Sequence, residues 1–76
     1  MTEKQKMIYE TINDFIEEYG YSPTIRELCK LVGLSSTATM FVHLKKMKAK
    51  GVIDYKEGSS RTIVLYKLKE EEWNIF

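Results

Sequence analysis

Residues 20–51 have the sequence GYSPTIRELCKLVGLSSTATMFVHLKKMKAKG and predict two short helices joined by a turn. Pro23 predicts a loop before the first of them, because the residue preceding a proline avoids the helical region. Thr24 and Glu27 have the spacing of a capping box, in which each side chain accepts a backbone hydrogen bond at the helix start. An apolar stripe then ends at Gly33 and consists of Ile25, Leu28, Leu31 and Val32. This segment is predicted to form a helix of about two turns.

A second helix is predicted after a turn that contains Leu34. Ser35 or Ser36 caps its start, because a serine hydroxyl accepts a hydrogen bond from a free backbone N–H of the first turn. The helix runs to about Lys50, with Gly51 after it. Two short helices separated by a glycine-containing turn are the sequence form of a helix-turn-helix.

A longer helix precedes this pair over roughly residues 3–19. Thr2 and Gln5 repeat the capping-box spacing at its start, and Gly20 is able to adopt the left-handed conformation that closes a helix. Its apolar stripe consists of Ile8, Ile12, Phe15, Ile16 and Tyr19. This stripe provides an apolar surface for packing against the other two helices.

After the third helix the apolar period changes from that of a helix to that of a strand. Residues 52–56 and 61–66 are predicted strands, and residues 57–60 form the turn between them. The side chains expected on the buried face are Ile53, Tyr55, Ile63 and Leu65. A hairpin after a helix-turn-helix is a wing. The predicted fold is therefore mainly α with a small β-hairpin, a three-helix winged helix-turn-helix over residues 1–66 with a C-terminal tail at 67–76.

Composition restricts the class of protein. Of the 76 residues 43% are hydrophobic, which disfavours disorder, and one domain of this size leaves little room for an enzyme cleft beside a core. The longest apolar run, residues 63–66, is too short to span a membrane, and no signal-peptide pattern follows the N-terminal charges. The single cysteine, Cys29, permits no internal disulfide. We therefore expect a cytoplasmic protein.

Positive charge is concentrated in one third of the chain. Residues 35–61 hold six basic side chains against two acidic ones, a balance of +4, whereas residues 1–34 balance at −2 and residues 62–76 at −1. A local excess of this kind suits a polyanionic partner. Lysines that only solubilise a helix surface account for the charge equally well.

The third helix has apolar residues on more than one side. At about 100° per residue, Met40, Leu44 and Met47 fall within one narrow sector, which we assign to the core. The residues that point sideways or away from this sector are Ala38, Phe41, Val42 and Lys45. Such a face suits base edges, because apolar side chains contact thymine methyl groups while lysines contact phosphates. Alternatively, Phe41 shields the edge of the core and Val42 is an incidental exposed apolar residue.

The hydroxyl groups of this helix have two interpretations. Thr39 lies at the edge of the exposed face, where its hydroxyl and methyl groups are able to contact a base pair. Ser35, Ser36 and Thr37 offer hydroxyls and free amides at the helix N-terminus, which is a natural phosphate site. Capping alone accounts for these three residues nearly as well.

His43 and Cys29 are both expected to be packed residues. No second histidine or cysteine lies at ligand spacing from His43, so we expect a packed, hydrogen-bonded side chain rather than a metal ligand. Cys29 belongs to no motif and is expected in the core or at its boundary. The sequence accordingly predicts no catalytic residue, no metal and no cofactor.

Five segments in order, residues 20–28, 33–36, 43–45, 50–53 and 60–65, carry a resemblance to a known family. Together they resemble the N-terminal DNA-binding domain of LexA, the bacterial SOS repressor, over residues 2–66. The resemblance implies a sequence-specific, DNA-binding transcriptional repressor module. Its third helix (about 36–50) enters the major groove of duplex DNA, and its wing (52–66) reaches the neighbouring minor groove or the backbone.

The resemblance also implies which residues contact DNA. By position, the base-reading set is Ser36, Ala38, Thr39, Phe41 and Val42, and Ser59 and Ser60 lie in the wing. The other candidate DNA contacts are Ser35, Arg26, Lys45, Lys46 and Arg61. Phe41 and Val42 stand where many relatives carry polar residues, so the operator sequence of any one relative is not transferable.

In this family, dimers bind palindromic operators, and a self-cleaving domain with a Ser/Lys pair supplies most of the dimer contact. Nothing in the sequence corresponds to those parts, so we expect a weak or DNA-dependent homodimer on a palindromic operator. The tail side chains Trp73, Ile75 and Phe76 are expected to fold back onto the first helix, or else to form a small symmetric contact.

A function of a different class remains open at this point, namely a winged helix for protein–protein docking centred on Phe41 and Val42. The lysines at 45, 46, 48 and 50 disfavour it, because docking surfaces are depleted in lysine. An enzyme needs a nucleophile–base or metal constellation, which one histidine and one cysteine on different helices do not supply. The expected partner is double-stranded DNA, with no membrane and no small-molecule ligand.

Overall fold

The computed structural model describes residues 1–66 and contains three helices followed by a two-stranded antiparallel sheet. The elements are α1 (Glu3–Tyr19), α2 (Ile25–Val32), α3 (Thr37–Ala49), β1 (Ile53–Asp54) and β2 (Val64–Leu65). Ile53 pairs with Leu65, and Asp54 pairs with Val64. The predicted three-helix winged helix-turn-helix is confirmed, and the predicted tail at 67–76 lies outside the described residues.

Local side-chain hydrogen bonds fix the starts of α1 and α2, as the sequence predicts. The Thr2 hydroxyl accepts a hydrogen bond from the Gln5 backbone N–H at 3.1 Å, and Gln5 Oε1 accepts one from the Thr2 backbone N–H at 3.4 Å. Thr24 and Glu27 form the same reciprocal pair at 3.1 and 2.8 Å. Two of the backbone N–H groups that a helix start leaves without intrahelical partners are satisfied in each box.

The core lies where the three helices and the base of the wing meet. Its largest fully buried side chains are Ile8, Ile12, Pro23, Leu28, Met40, Leu44, Met47, Val52 and Ile53. Each buried side chain of this size stabilises the fold by about 1.5–3 kcal/mol relative to exposure. The predicted core sector of α3 is confirmed, because Met40, Leu44 and Met47 all belong to this set.

The predicted stripe of α2 is wrong at Leu31, which is 57% exposed. Cys29 is buried in its place, so the packed positions of α2 are Ile25, Leu28, Cys29 and Val32. These positions follow the i, i+3, i+4, i+7 spacing of one helix face, whereas position 31 lies on its flank. The burial of Cys29 confirms the expectation of a core residue.

The stripe of α1 leaves the core at its C-terminal end, where Tyr19 is exposed although it was predicted as part of the stripe. It joins a surface aromatic cluster with Phe15 and Tyr21, with ring centroids 4.5 Å (Phe15–Tyr19) and 5.8 Å (Phe15–Tyr21) apart. Tyr9, outside the predicted stripe, is buried instead. Its hydroxyl donates a hydrogen bond to the Tyr66 carbonyl at 2.6 Å and so joins α1 to the end of the wing.

The wing strands are shorter than predicted, with two residues each instead of five and six. On the turn side of these strands, side-chain hydrogen bonds replace the backbone ladder, since Thr62 Oγ1 accepts from the Lys56 N–H at 2.9 Å and donates to the Lys56 carbonyl at 3.3 Å. Such bonds compete with regular sheet pairing. The residues predicted on the buried face, Ile53, Tyr55 and Ile63, are buried, and Leu65 packs against the core while partly exposed.

Candidate nucleic-acid interface

One concave surface lies between α3 and the wing, and we call it the helix–wing groove. It is lined by residues 23–26, by residues 55–63 and by Ala38, Phe41, Val42 and Lys45 of α3, and has a volume of about 780 Å³. Three elements that are separate in sequence therefore contribute to one surface: the start of α2, the outer side of α3 and the wing turn.

The side of α3 that faces this groove is apolar and exposed. Phe41 is 39% exposed and Val42 52% exposed, while Met40, Leu44 and Met47 fill the core from the other side of the same helix. The part of each side chain that remains in water contributes nothing to folding, because apolar stabilisation is proportional to the area buried. The exposed surfaces of Phe41 and Val42 are therefore available for contact with another molecule.

Most of the sequence-predicted site residues meet at this groove. Eight of the twelve line it: Arg26, Ala38, Phe41, Val42, Lys45, Ser59, Ser60 and Arg61. The remaining four, Ser35, Ser36, Thr39 and Lys46, are exposed residues on α3 or immediately before it. Sequence reasoning did not select Tyr55, Glu57 and Thr62, which also line the groove, because their contribution depends on how the wing folds over α3.

Ser36 has a structural role at the start of α3. Its hydroxyl accepts a hydrogen bond from the Thr39 backbone N–H at 3.4 Å, which makes it the N-cap. The Cys29 thiol donates to the Ser36 carbonyl at 3.9 Å and so joins α2 to the start of α3. Burial raises the pKa of the Cys29 thiol, which keeps it protonated and able to donate.

The lysines of α3 differ in their surroundings. Lys48 Nζ lies 3.4 Å from Asp54 Oδ1, donates to the Tyr55 carbonyl at 2.9 Å and lies 4.6 Å from the centroid of the Tyr55 ring. This side chain holds the base of the wing against α3. Lys45 and Lys46 are exposed, and Lys45 lines the helix–wing groove.

The Arg61 side chain lies against α2 and the loop before it. Its Nη1 lies 3.0 Å from Glu27 Oε1 and donates to the Ser22 carbonyl at 3.1 Å, and its Nη2 donates to Glu27 Oε2 at 3.3 Å. The guanidinium carbon lies 4.6 Å from the centroid of the Tyr21 ring. Hydrogen bonds from the Thr24 backbone N–H and from Arg61 hold the pKa of Glu27 below its ordinary value. Sequence reasoning identified Glu27 as a cap but missed this pairing, because 34 residues separate it from Arg61.

Nδ1 of His43 is buried and has no hydrogen-bond partner, so the expectation of a hydrogen-bonded histidine is wrong at this atom. Within residues 1–66, no group of three or more His, Cys, Asp or Glu side chains is arranged to hold a metal ion. No helix in that range is long and apolar enough to cross a membrane.

Comparison with known proteins gives one consistent family. The family model for the LexA DNA binding domain matches residues 1–62. The chain is 42% identical over 67 residues to a LexA repressor from Desulfatibacillum aliphaticivorans, covering 88% of this chain and 33% of that protein. It is 48% identical over 65 residues to a LexA repressor from Clostridium novyi (strain NT), covering 86% of this chain and 32% of that protein. The chain thus spans about a third of the length of the curated relatives it matches.

Proposed function

Because the chain belongs to the LexA DNA-binding domain family, we propose that it binds duplex DNA sequence-specifically as the reading module of a bacterial repressor of the SOS type. The observation that carries this proposal is the helix–wing groove, where an exposed apolar helix face meets basic side chains. This groove faces the DNA, α3 enters the major groove, and the wing reaches the neighbouring minor groove or backbone. We expect the protein to act in the cytoplasm.

The dimensions of α3 suit this position. Its 13 residues make a rod roughly 20 Å long and about 10–12 Å across with side chains. The major groove of B-DNA is about 12 Å wide, so one such helix fits. Ala38, Thr39, Phe41 and Val42 are all exposed on it. Thymine methyl groups and base edges are the chemistry that these side chains recognise.

Phosphate contacts come from the surrounding polar and basic groups. These are Arg26, Ser35, Ser36, Lys45, Lys46 and, in the wing, Ser59 and Ser60. Replacing both Lys45 and Lys46 with Gln is expected to weaken binding to all duplexes alike and to reduce the slope of log K against log[salt] by about two units. Fluorescence-anisotropy titrations on random duplex at several salt concentrations measure this slope. An unchanged slope would contradict the proposed orientation, and absence of binding to any duplex would favour a docking role for Phe41 and Val42.

The sharpest test of base reading compares two valines of nearly equal exposure. Val42 on α3 is 52% exposed and lines the helix–wing groove, whereas Val64 on β2 is 50% exposed and lies beside Lys48 and Thr62, outside that groove. Duplexes selected from a random pool by the wild-type protein provide the preferred site. Val42→Ala is expected to cost about 1–3 kcal/mol of binding free energy on that site and little on random DNA.

Val64→Ala is expected to change the binding free energy by less than about 0.5 kcal/mol on either duplex. Equal losses on preferred and random DNA for Val42→Ala would show a structural role for this residue. Equal losses for the two variants would remove the assignment of the groove as the DNA-facing surface.

The operator is proposed to be palindromic and to carry two copies of the protein. The domain measures 30 × 25 × 22 Å, and half-sites one helical turn apart are separated by about 34–36 Å. Two domains therefore fit side by side on one face of the duplex. We expect the protein to be a monomer at micromolar concentration and to bind a two-half-site duplex cooperatively. Sedimentation equilibrium measures the first property, and titration of one- and two-half-site duplexes measures the second. A tight dimer without DNA would contradict DNA-dependent pairing.

A further inference from the structure

The wing is attached to the helix-turn-helix at two places that lie far apart in sequence. At its base, Lys48 of α3 holds Asp54 and the Tyr55 carbonyl. On the other side, Arg61 makes a bidentate ion pair with Glu27 of α2. Both nitrogens at the end of the guanidinium face the carboxylate, Nη1 at 3.0 Å from Oε1 and Nη2 donating a hydrogen bond to Oε2 at 3.3 Å, so the pair fixes orientation as well as distance.

Glu27 is itself held in place by the backbone of α2. Its Oε1 accepts a hydrogen bond from the Thr24 N–H at 2.8 Å as half of the capping box. The carboxylate is therefore oriented before it meets Arg61. The guanidinium gains two further contacts, the Ser22 carbonyl and the Tyr21 ring, on the loop that leads into α2.

The backbone at Arg61 indicates that these contacts determine its position. Its φ is +57°, and it is the only residue other than glycine with positive φ among residues 1–66. An L-residue in the left-handed region costs about 1–2 kcal/mol and persists where the surroundings determine the conformation. The side chain reaches three groups on α2 and its preceding loop, namely the Glu27 carboxylate, the Ser22 carbonyl and the Tyr21 ring, and these contacts compensate for this cost.

We propose that Arg61 is a positioning residue, which with Glu27 clamps the wing to the start of α2 and so sets the distance between wing and α3, rather than a residue that contacts DNA. This inference rests on the proposed function. The charge of Arg61 is opposed by that of Glu27 at 3.0 Å, so the pair adds little net attraction for phosphates. The position of Arg61 in the predicted wing suggests, from the sequence alone, the opposite role, a contact from Arg61 to DNA.

The substitution Glu27→Gln distinguishes a clamp from a DNA contact, because the two roles predict opposite changes in DNA affinity. Glutamine retains the oxygen that caps Thr24, since a capping box accepts Glu or Gln, but it removes the charge that holds Arg61. A clamp predicts binding to the preferred duplex about twofold to fivefold weaker, the fold-change that corresponds to an exposed ion pair. A DNA contact predicts tighter binding, because Arg61 is released and a negative charge near the phosphates is lost.

Glu57→Gln is the matched control, because Glu57 lines the same groove and is outside the clamp. It is expected to tighten binding to all duplexes. Arg61→Gln is expected to weaken binding to the preferred duplex as much as Glu27→Gln does. The double variant is expected to bind no more weakly than either single variant, since each substitution removes the same interaction. The salt slope is expected to remain unchanged in Arg61→Gln and to fall by about one unit in Lys46→Gln.

Tighter binding by Glu27→Gln, or a reduced salt slope in Arg61→Gln, would overturn the clamp. A measurement without DNA keeps this test separate from the proposed function. In Glu27→Gln, the backbone amide chemical shifts of Gly58, Ser59 and Thr62 are expected to move, because the wing loses its attachment to α2. Unchanged shifts would overturn the clamp whether or not the protein binds DNA, whereas failure of the wild type to bind any duplex overturns the proposed function alone.

Discussion

Leu28 and Leu31 of α2 provide a direct test of how this helix is oriented in the domain. Leu28 is fully buried, whereas Leu31, three residues further along, is 57% exposed. The same substitution, leucine to alanine, is therefore expected to have very different effects at the two positions. The comparison is well matched because both residues lie in one helix and alanine and leucine are both strong helix formers.

The magnitude follows from burial. Truncation of a fully buried leucine removes its transfer free energy and leaves a cavity, which costs about 2–5 kcal/mol. A domain of this size loses about 4–8 °C of Tm for each kcal/mol, so Leu28→Ala is expected to lower Tm by on the order of 10 °C or more. Leu31→Ala leaves no cavity, because the side chain is exposed, and its free energy of unfolding is expected to remain within about 0.5 kcal/mol of the wild type.

Thermal and urea unfolding followed by circular dichroism measure both variants. A two-state transition in each is the condition for comparing free energies of unfolding. Equal losses for the two substitutions, or a larger loss for Leu31→Ala, would refute the packing of α2 on the face formed by positions 25, 28, 29 and 32. The helix-turn-helix geometry would then be wrong as well, since α2 packs between α1 and α3.

Three further outcomes are expected. Gly58→Ala should lower the free energy of unfolding by about 1 kcal/mol, because the φ of +77° strains an L-residue although the added Cβ meets no atom within 4 Å; a neutral result in urea unfolding would contradict this. The pKa of Glu27 is lower in the folded than in the unfolded protein, so ionised Glu27 stabilises the fold. This stabilisation should be fully present above the unfolded-state pKa and be lost as pH falls through the folded-state pKa. The Tm difference between wild type and Glu27→Gln should therefore shrink on acidification, and a constant difference would be the contrary result. Cys29 is buried and its thiol pKa is raised, so a thiol reagent should modify it only as fast as the domain opens; rapid modification of the folded protein would show that the site is accessible.

Local sequence was sufficient for the helix boundaries. Thr2 with Gln5, and Thr24 with Glu27, identify the starts of α1 and α2, because the hydrogen bonds concerned join residues three apart. The core side of α3 was equally predictable, since Met40, Leu44 and Met47 lie at helical spacing. The candidate DNA-facing residues of α3 follow from the same periodicity, as the side that remains once the core side is assigned.

Only the tertiary structure decided the rest. Leu31 is exposed because α2 turns Cys29 towards the core, and an apolar residue at the flank of a stripe fits either side by pattern alone. The predicted strands shorten because Thr62 hydrogen-bonds the backbone of Lys56 across the wing. Arg61 pairs with Glu27 across 34 residues. Interactions within one helical turn are encoded in the local sequence, whereas partners separated by tens of residues meet only after the helices have packed.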